Sequence, residues 1–301
     1  MKKRALLIAA LTAATLMACG GDSSTATDKT DAVIETAEAE ENDTAEEIAE
    51  ESDEIAIEEQ EIYNDNGIVI TATGLVLDGF MGPELTLLIE NNSDKNITVQ
   101  TRNSSVNGYM MDLQMSCDVV AGKKANDEMS IMESQLEQCG IDSIADIEFN
   151  FHFFDTDTYE NDFDSDMITL KTTIADNFVQ EYDDSGDVLY ENNGLKIVSK
   201  GLVTDDSIFG PEYVMYFHNT SDRAICVQAR DTSVNGFMVD PSMSADILPG
   251  KHAVDEMTFM SSQLEENKIE TIEEIETSFH IFDAESWDDI EDTEPITISF
   301  K

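Results

Sequence analysis

The sequence predicts a mainly β protein: an antiparallel β-sandwich written twice, each copy carrying one short helix, behind a disordered acidic tether. Three observations carry this expectation. A block of about 110 residues recurs at a nearly fixed offset along the chain. Within each block, short apolar runs alternate with polar turns every 8–12 residues or so, the pattern of a sandwich. Ahead of the first block, Asp22 to Glu61 holds 17 acidic residues against one lysine, Lys29. The whole chain of 301 residues has 65 Asp and Glu, 16 Lys and Arg, and a formal charge of −49. So acidic a balance excludes nucleic acid as a partner, because phosphate contacts need clustered cations. It also excludes docking on anionic lipid through a basic patch.

Lys2, Lys3 and Arg4 make a positive start, followed by an apolar run over 5–17. Thirteen residues are too few for a permanent span but suit a signal-peptide core. The run ends in Leu16-Met17-Ala18-Cys19, which resembles a bacterial lipobox. That resemblance implies cleavage before Cys19 and a diacylglycerol on its sulfur. Residues 1–18 are thus read as a lipoprotein signal peptide, and the protein as extracytoplasmic and held to the membrane by lipid on Cys19.

Residues 19–61 read as the tether. With almost no opposite charge for i,i+4 pairs, self-repulsion favours extension over helix. Some 40 residues reach on the order of 130 Å when extended.

The repeat then begins. Tyr63-Asn64-Asp65-Asn66-Gly67 returns as Tyr190-Glu191-Asn192-Asn193-Gly194. One inserted residue later, Gly82-Pro83-Glu84 returns as Gly210-Pro211-Glu212, and an offset of 128 holds to the end. Val106-Asn107-Gly108 matches Val234-Asn235-Gly236, and Phe151-His152-Phe153-Phe154-Asp155 matches Phe279-His280-Ile281-Phe282-Asp283. The expected organisation is repeat 1 over 62–173, a linker over 174–188 and repeat 2 over 189–301. Each unit is large enough for its own core.

Inside a unit, 68–77 and 195–203 read as opening strands interrupted by Gly74 and Gly201. The apolar runs 85–89 and 213–217 read as buried strands. Each leads through a polar turn, starting at Asn91 or Asn219, into 97–100 or 225–228. Asn107-Gly108 and Asn235-Gly236 are hairpin signals, since both residues must accept positive φ. Ser134-x-x-Glu137 and Ser262-x-x-Glu265 look like capping boxes opening the helix. Aromatic strands over 147–154 and 275–282 follow, and 168–170 and 296–298 close the units.

The strand, Asn-x-Ser-Asp-Lys turn, strand layout, behind a lipobox and an acidic spacer, resembles the immunoglobulin-like repeats of uncharacterised bacterial lipoproteins. The resemblance covers 62–301. It implies two tandem immunoglobulin-like sandwiches on the cell surface and brings no catalytic residues. Neither unit has the cysteine pair around a buried tryptophan that true immunoglobulin domains carry.

Cys117 and Cys139 are replaced together in repeat 2, by Ala245 and Asn267. Joint absence is what a disulfide produces, and closing this loop would add roughly 3 kcal/mol. Two unrelated thiols are the other reading. Cys226 stands where repeat 1 has Thr98 and reads as a packed strand residue. The acidic loops after the aromatic strands are the candidate calcium ligands: Asp155, Asp157 and Asp162, then Asp283, Glu285 and Asp288. They lack the EF-hand spacing, so a solvated acidic loop is the competing reading. His152 and His280 lie among phenylalanines without a second ligand at zinc spacing. Arg102 and Arg230 read as partners of nearby carboxylates. Tyr159 and Trp287 hold equivalent loop positions and, if exposed, would stack on a sugar or anchor a protein.

No nucleophile elbow, zinc-protease helix, phosphate loop or dinucleotide fingerprint is present in the sequence. The expectation is therefore a non-enzymatic surface lipoprotein for binding, adhesion or envelope organisation, its ligand an unknown protein or glycan, with no cofactor. The alternative is a calcium-dependent module or envelope enzyme using the acidic loops.

Overall fold

The computed structural model describes residues 55–160, 162–204 and 207–300. Cys19, the expected signal peptide and the expected tether as far as residue 54 lie outside the described residues. The described residues belong to one compact unit.

Repeat 1 opens with β1 (Gln60–Asp65) and β2 (Ile68–Val76), joined by Asn66-Gly67 with φ of 54° and 78°. It continues through β3 (Glu84–Asn91), β4 (Ile97–Val106), β5 (Tyr109–Met110), β6 (Leu113–Gln114), β7 (Ser116–Val119) and β8 (Lys123–Ile131). After α1 (Glu133–Cys139) come β9 (Asp146–Asp155), β10 (Phe163–Asp164) and β11 (Ile168–Lys171). One sheet runs β1-β2-β3-β8-β6; the other sets β4 between β9 and the β5 and β7 segments, with β10 and β11 beyond β9. Burial alternates residue by residue, most cleanly in β3, as a strand with one face inward must. Ile68, Ile70, Leu85, Leu87 and Ile89 thereby meet Val99, Phe149, Phe151 and Phe153 between the sheets.

Repeat 2 has the same plan. Its strands are β12 (Val188–Asn192), β13 (Leu195–Val203), β14 (Glu212–Asn219), β15 (Ile225–Val234), β16 (Phe237–Met238), β17 (Ser244–Ile247) and β18 (His252–Thr258). Then come α2 (Ser261–Glu266), β19 (Glu274–Asp283), β20 (Asp289–Asp292) and β21 (Ile296–Ser299). Its core gathers Ile197, Met215, Phe217, Val227, Phe279 and Ile281. The chain is two tandem antiparallel immunoglobulin-like β-sandwiches, each with one short helix.

Four local expectations are corrected. The folded part starts before residue 62: Ile57 is buried in the first core, and the Ala56 and Thr173 backbones are bonded at 2.9 Å. Gly74 and Gly201 do not break their strands; each sits at a bulge inside one. The helices begin at Glu133 and Ser261, and Met132 and Met260 hold the cap positions without a side-chain bond. Ser134 and Ser262 lie inside the first turn, so no capping box forms. Backbone carbonyls of the β2–β3 and β13–β14 loops serve instead: Glu133 N donates to Met81 O and Ser261 N to Phe209 O, both at 2.9 Å. That approach explains Gly82-Pro83-Glu84 and its copy. A Cβ on Gly82 would lie 2.2 Å from Ile131 O, and one on Gly210 would lie 2.1 Å from Phe259 O.

Fourth, the segment over 174–188 is no free linker. Tyr182 stacks on His252 with ring centroids 3.6 Å apart and donates to Asn107 O at 3.0 Å. Tyr216 bonds His252 Nδ1 at 2.5 Å, and His218 stacks on the same imidazole. A parallel bridge between Tyr109 and His252 runs the second sheet of repeat 1 into the first sheet of repeat 2. The repeats are joined by an aromatic and histidine stack built around the buried His252, Tyr109 and Tyr216.

Candidate functional site

The outer face of the β4–β9 sheet, and of its copy β15–β19, collects the polar residues that the core rejects. Strand register puts Ser116, Gln100, His152 and Asp164 in one row across four strands, and Ser244, Gln228, His280 and Asp292 in the equivalent row. His152 Nδ1 meets Asp164 Oδ1 at 2.6 Å, and its Nε2 lies 3.0 Å from Arg102 Nη2. Since a guanidinium only donates, Nε2 accepts and Nδ1 carries the proton to the carboxylate. In repeat 2 His280 Nδ1 meets Asp292 Oδ1 at 2.6 Å, while Arg230 turns to Gln228 Oε1. Arg102 therefore neighbours a carboxylate, Asp164 at 3.8 Å, whereas Arg230 bonds an amide. By register, Gln100 and Gln228 stand between each imidazole and the serine of its row. No hydroxyl nucleophile is thus set against either histidine within the row.

An aromatic ring stands beside each row, next to its histidine. Tyr159 and Trp287 are 77% and 74% exposed. They stack on Phe154 and Phe282, centroids 5.8 and 5.6 Å apart, the strand neighbours of His152 and His280. Both sit at positive φ, 57° and 63°, unusual for bulky side chains. The turn that holds them is built by the acid at the strand end. Asp155 Oδ1 accepts from Asp157 N and Thr158 N, and Tyr159 N donates to Asp155 O. Asp283 does the same for Glu285 N and Ser286 N, and Trp287 N donates to Asp283 O. Backbone N–H bonds, Ser286 foremost, hold the Asp283 carboxyl below its ordinary range.

The same geometry engages the acidic residues of these loops. Asp155 and Asp283 spend an oxygen on their own turns, and Asp157 accepts from Asn96. Among the described residues, no three His, Cys, Asp or Glu side chains converge as metal ligands. Asp162, Glu285 and Asp288 are exposed loop residues.

The disulfide expectation is corrected too: Cys117 and Cys139 are both free and buried. Cys117 faces Asp127 on β8, whereas Cys139 contacts Val254 of repeat 2. Burial pushes each thiol up to about 12, so neither is a ready nucleophile. In repeat 2, Ala245 fills a core position, and Asn267 closes α2, its side chain donating to Gln263 O. Cys226 is buried, with Sγ 3.5 Å from Ser244 Oγ, as expected of a packed strand residue.

Sequence reasoning did not foresee a cleft of about 1030 Å³ between the repeats. Asp112, Glu137, Asp246, Asp255 and Glu256 line it with Arg102, Gln135 and Gln138. Burial, added to by Glu256, Asp112 and Asp246, raises the Asp255 carboxyl to about 7. No single-repeat pattern announces such a space, because its walls come from both copies.

The fold and these outer faces define a tandem β-sandwich protein with duplicated polar and aromatic surfaces. No family model matches the chain, and no curated protein matches it. Among solved structures, the YadV chaperone is similar over 78% of this chain and 100% of its own, at 12% identity and a TM-score of 0.24. A structure of the Salmonella enterica SafA pilin in complex with the SafB chaperone is similar over 72% of this chain and 89% of that one, at 9% identity and a TM-score of 0.21.

Proposed function

We infer that the chain is a non-enzymatic, extracytoplasmic binding module, anchored by lipid on Cys19, whose two outer sheet faces take an extended, uncharged glycan. The observation that carries this reading is the duplicated platform. An exposed ring backed by a second ring adjoins a row of amide, imidazole, hydroxyl and carboxylate groups in each repeat. A ring offers its face to the C–H side of a sugar, and the row offers donors and acceptors to its hydroxyls. The charge of −49 disfavours an acidic polymer. Two faces on one chain raise avidity through effective concentration.

Trp287 is the only tryptophan, so its fluorescence reports on the site directly. N-acetylglucosamine oligomers and neutral glucans titrated into the full chain should shift its emission. Trp287→Ala and Tyr159→Ala should each weaken binding about tenfold in calorimetry, as loss of an aromatic anchor does. If no oligosaccharide shifts the emission or releases heat, the glycan reading fails. The anchor is tested separately: Cys19→Ala should end incorporation of labelled lipid.

A protein partner is the second reading. It is favoured by Phe80 and Ile208, 98% and 90% exposed at equivalent loop tips.

A further inference from the structure

The surface by which repeat 1 grips repeat 2 has a copy on repeat 2, and that copy is bare. In the joint, Tyr109 is 2% exposed, Gly108 O accepts from His252 N at 3.0 Å, and Glu148 pairs with Lys251. The 128-residue offset carries Tyr109, Met110 and Glu148 onto Phe237, Met238 and Glu276. Phe237 and Met238 are 49% and 66% exposed. A pocket of about 380 Å³ opens beside them, between Met238 and α2. Gly236 has nothing within 4 Å of where a Cβ would stand, whereas Gly108 is covered by the Tyr182 hydroxyl.

The receiving surface is duplicated as well. His252, the first residue of β18, and Lys251 just before it correspond to Lys124 and Lys123 on β8, and Lys123 and Lys124 are exposed. Lys251 pairs with Glu148, yet neither Lys123 nor Glu276, its would-be partner by the same offset, has an ion pair among the described residues. Lys124 pairs only with Glu90. An unpaired cation in so acidic a protein and an unpaired carboxylate stand where the observed joint places its own ion pair.

We propose that this chain associates head to tail with a second copy of itself, the Phe237 face of one copy docking on the Lys123–Lys124 edge of the next. Lys124 N bonds Gly236 O, Lys123 pairs with Glu276, and the Lys124 ammonium lies over the Phe237 ring. Such a joint is heterologous, so it propagates into a row rather than closing as a symmetric dimer. It is weaker than the joint within the chain, because the Gln138–Glu256 hydrogen bond is replaced by two acids, Glu266 and Glu128.

The test uses the full chain carrying Cys19→Ser, made in the cytosol so that no lipid is attached. In sedimentation equilibrium from about 1 μM to about 1 mM, the range a tether makes locally accessible, the mean mass should rise with concentration. Lys123→Glu should shift that rise to about tenfold higher concentration, and Lys123→Glu with Glu276→Lys in one chain should restore it. A chain that stays monomeric to the top of the range overturns the proposal, as does a Lys123→Glu variant that associates like the wild type. Geometry is read by mixing Lys124→Cys with Phe237→Cys under oxidation. A cross-link is expected from the mixture and not from either variant alone. Cross-linking of Phe237→Cys with itself overturns the head-to-tail arrangement. Unchanged melting temperatures confirm that these exposed substitutions leave the fold intact.

Discussion

At the scale of single residues, the two asparagines that open the polar turns do more than turn the chain. Asn91 is fully buried, yet every polar atom of its side chain is partnered. Nδ2 donates to Lys95 O and Val119 O, and Oδ1 accepts from Ser93 N and Ser93 Oγ. Asn219 repeats the set with Arg223 O, Ile247 O and Ser221. A buried amide so fully satisfied costs little to bury, but removing it takes a side-chain partner from Val119 O and Ser93 N and leaves Lys95 O only the Ser93 hydroxyl. Asn91→Ala should therefore lose about 3 kcal/mol in urea unfolding. Replacement of the neighbouring exposed Asp94 by Ala should change stability by less than about 0.5 kcal/mol.

At the scale of elements, turns and helix ends are set by the groups that pack on them. Asn107-Gly108 and Asn235-Gly236 share one backbone geometry, φ of 47° and 81° against 50° and 81°. They differ only in their surroundings. Alanine at Gly236 meets only the left-handed strain, about 1 kcal/mol. Alanine at Gly108 adds a Cβ 2.6 Å from the Tyr182 hydroxyl. Gly108→Ala should cost about 2 kcal/mol more than Gly236→Ala in denaturant midpoints, and Tyr182→Phe should reduce that gap.

At the scale of the whole molecule, two titrating groups at the junction work against each other. Burial first, then the charges of His218 and Lys251, lower the His252 imidazole to about 4 from 6.5, with Asp184 opposing. The unfolded chain takes that proton first. The stability that neutral His252 contributes is complete above pH 6.5 and is lost as pH falls towards 4. Asp255 has the opposite sign. Its folded carboxyl keeps a proton up to about pH 7, so its contribution is complete below about pH 3.8 and is lost as pH rises through 7. The slopes oppose between pH 4 and 6.5. Asp255→Asn, which retains the oxygen that accepts from Glu256 N, should be about 2 kcal/mol more stable than the wild type at pH 8. Without the opposing slope it should also lose stability more steeply on acidification. Equal pH profiles for variant and wild type would refute this account.

The sequence alone determined the duplication, the β class, the Asn-Gly hairpins and the equivalence of Tyr159 with Trp287. All of these rest on local rules: side-chain alternation, turn stereochemistry and identity at a fixed offset. Asn66-Gly67 and Asn193-Gly194 obey the same hairpin rule and were legible in the same way. Only the tertiary structure decided how the helices are capped, because the capping carbonyls come from loops some fifty residues upstream. It alone separated Cys117 from Cys139, since a shared absence in sequence says nothing about which way two thiols face. The His–Asp rows were likewise hidden: partners 12 residues apart meet only through strand register. Above all, sequence identity between the repeats could not show that one copy of a surface is covered and the other bare. Covering depends on the neighbour each surface meets in space, and within one chain only repeat 1 has another repeat packed against that face.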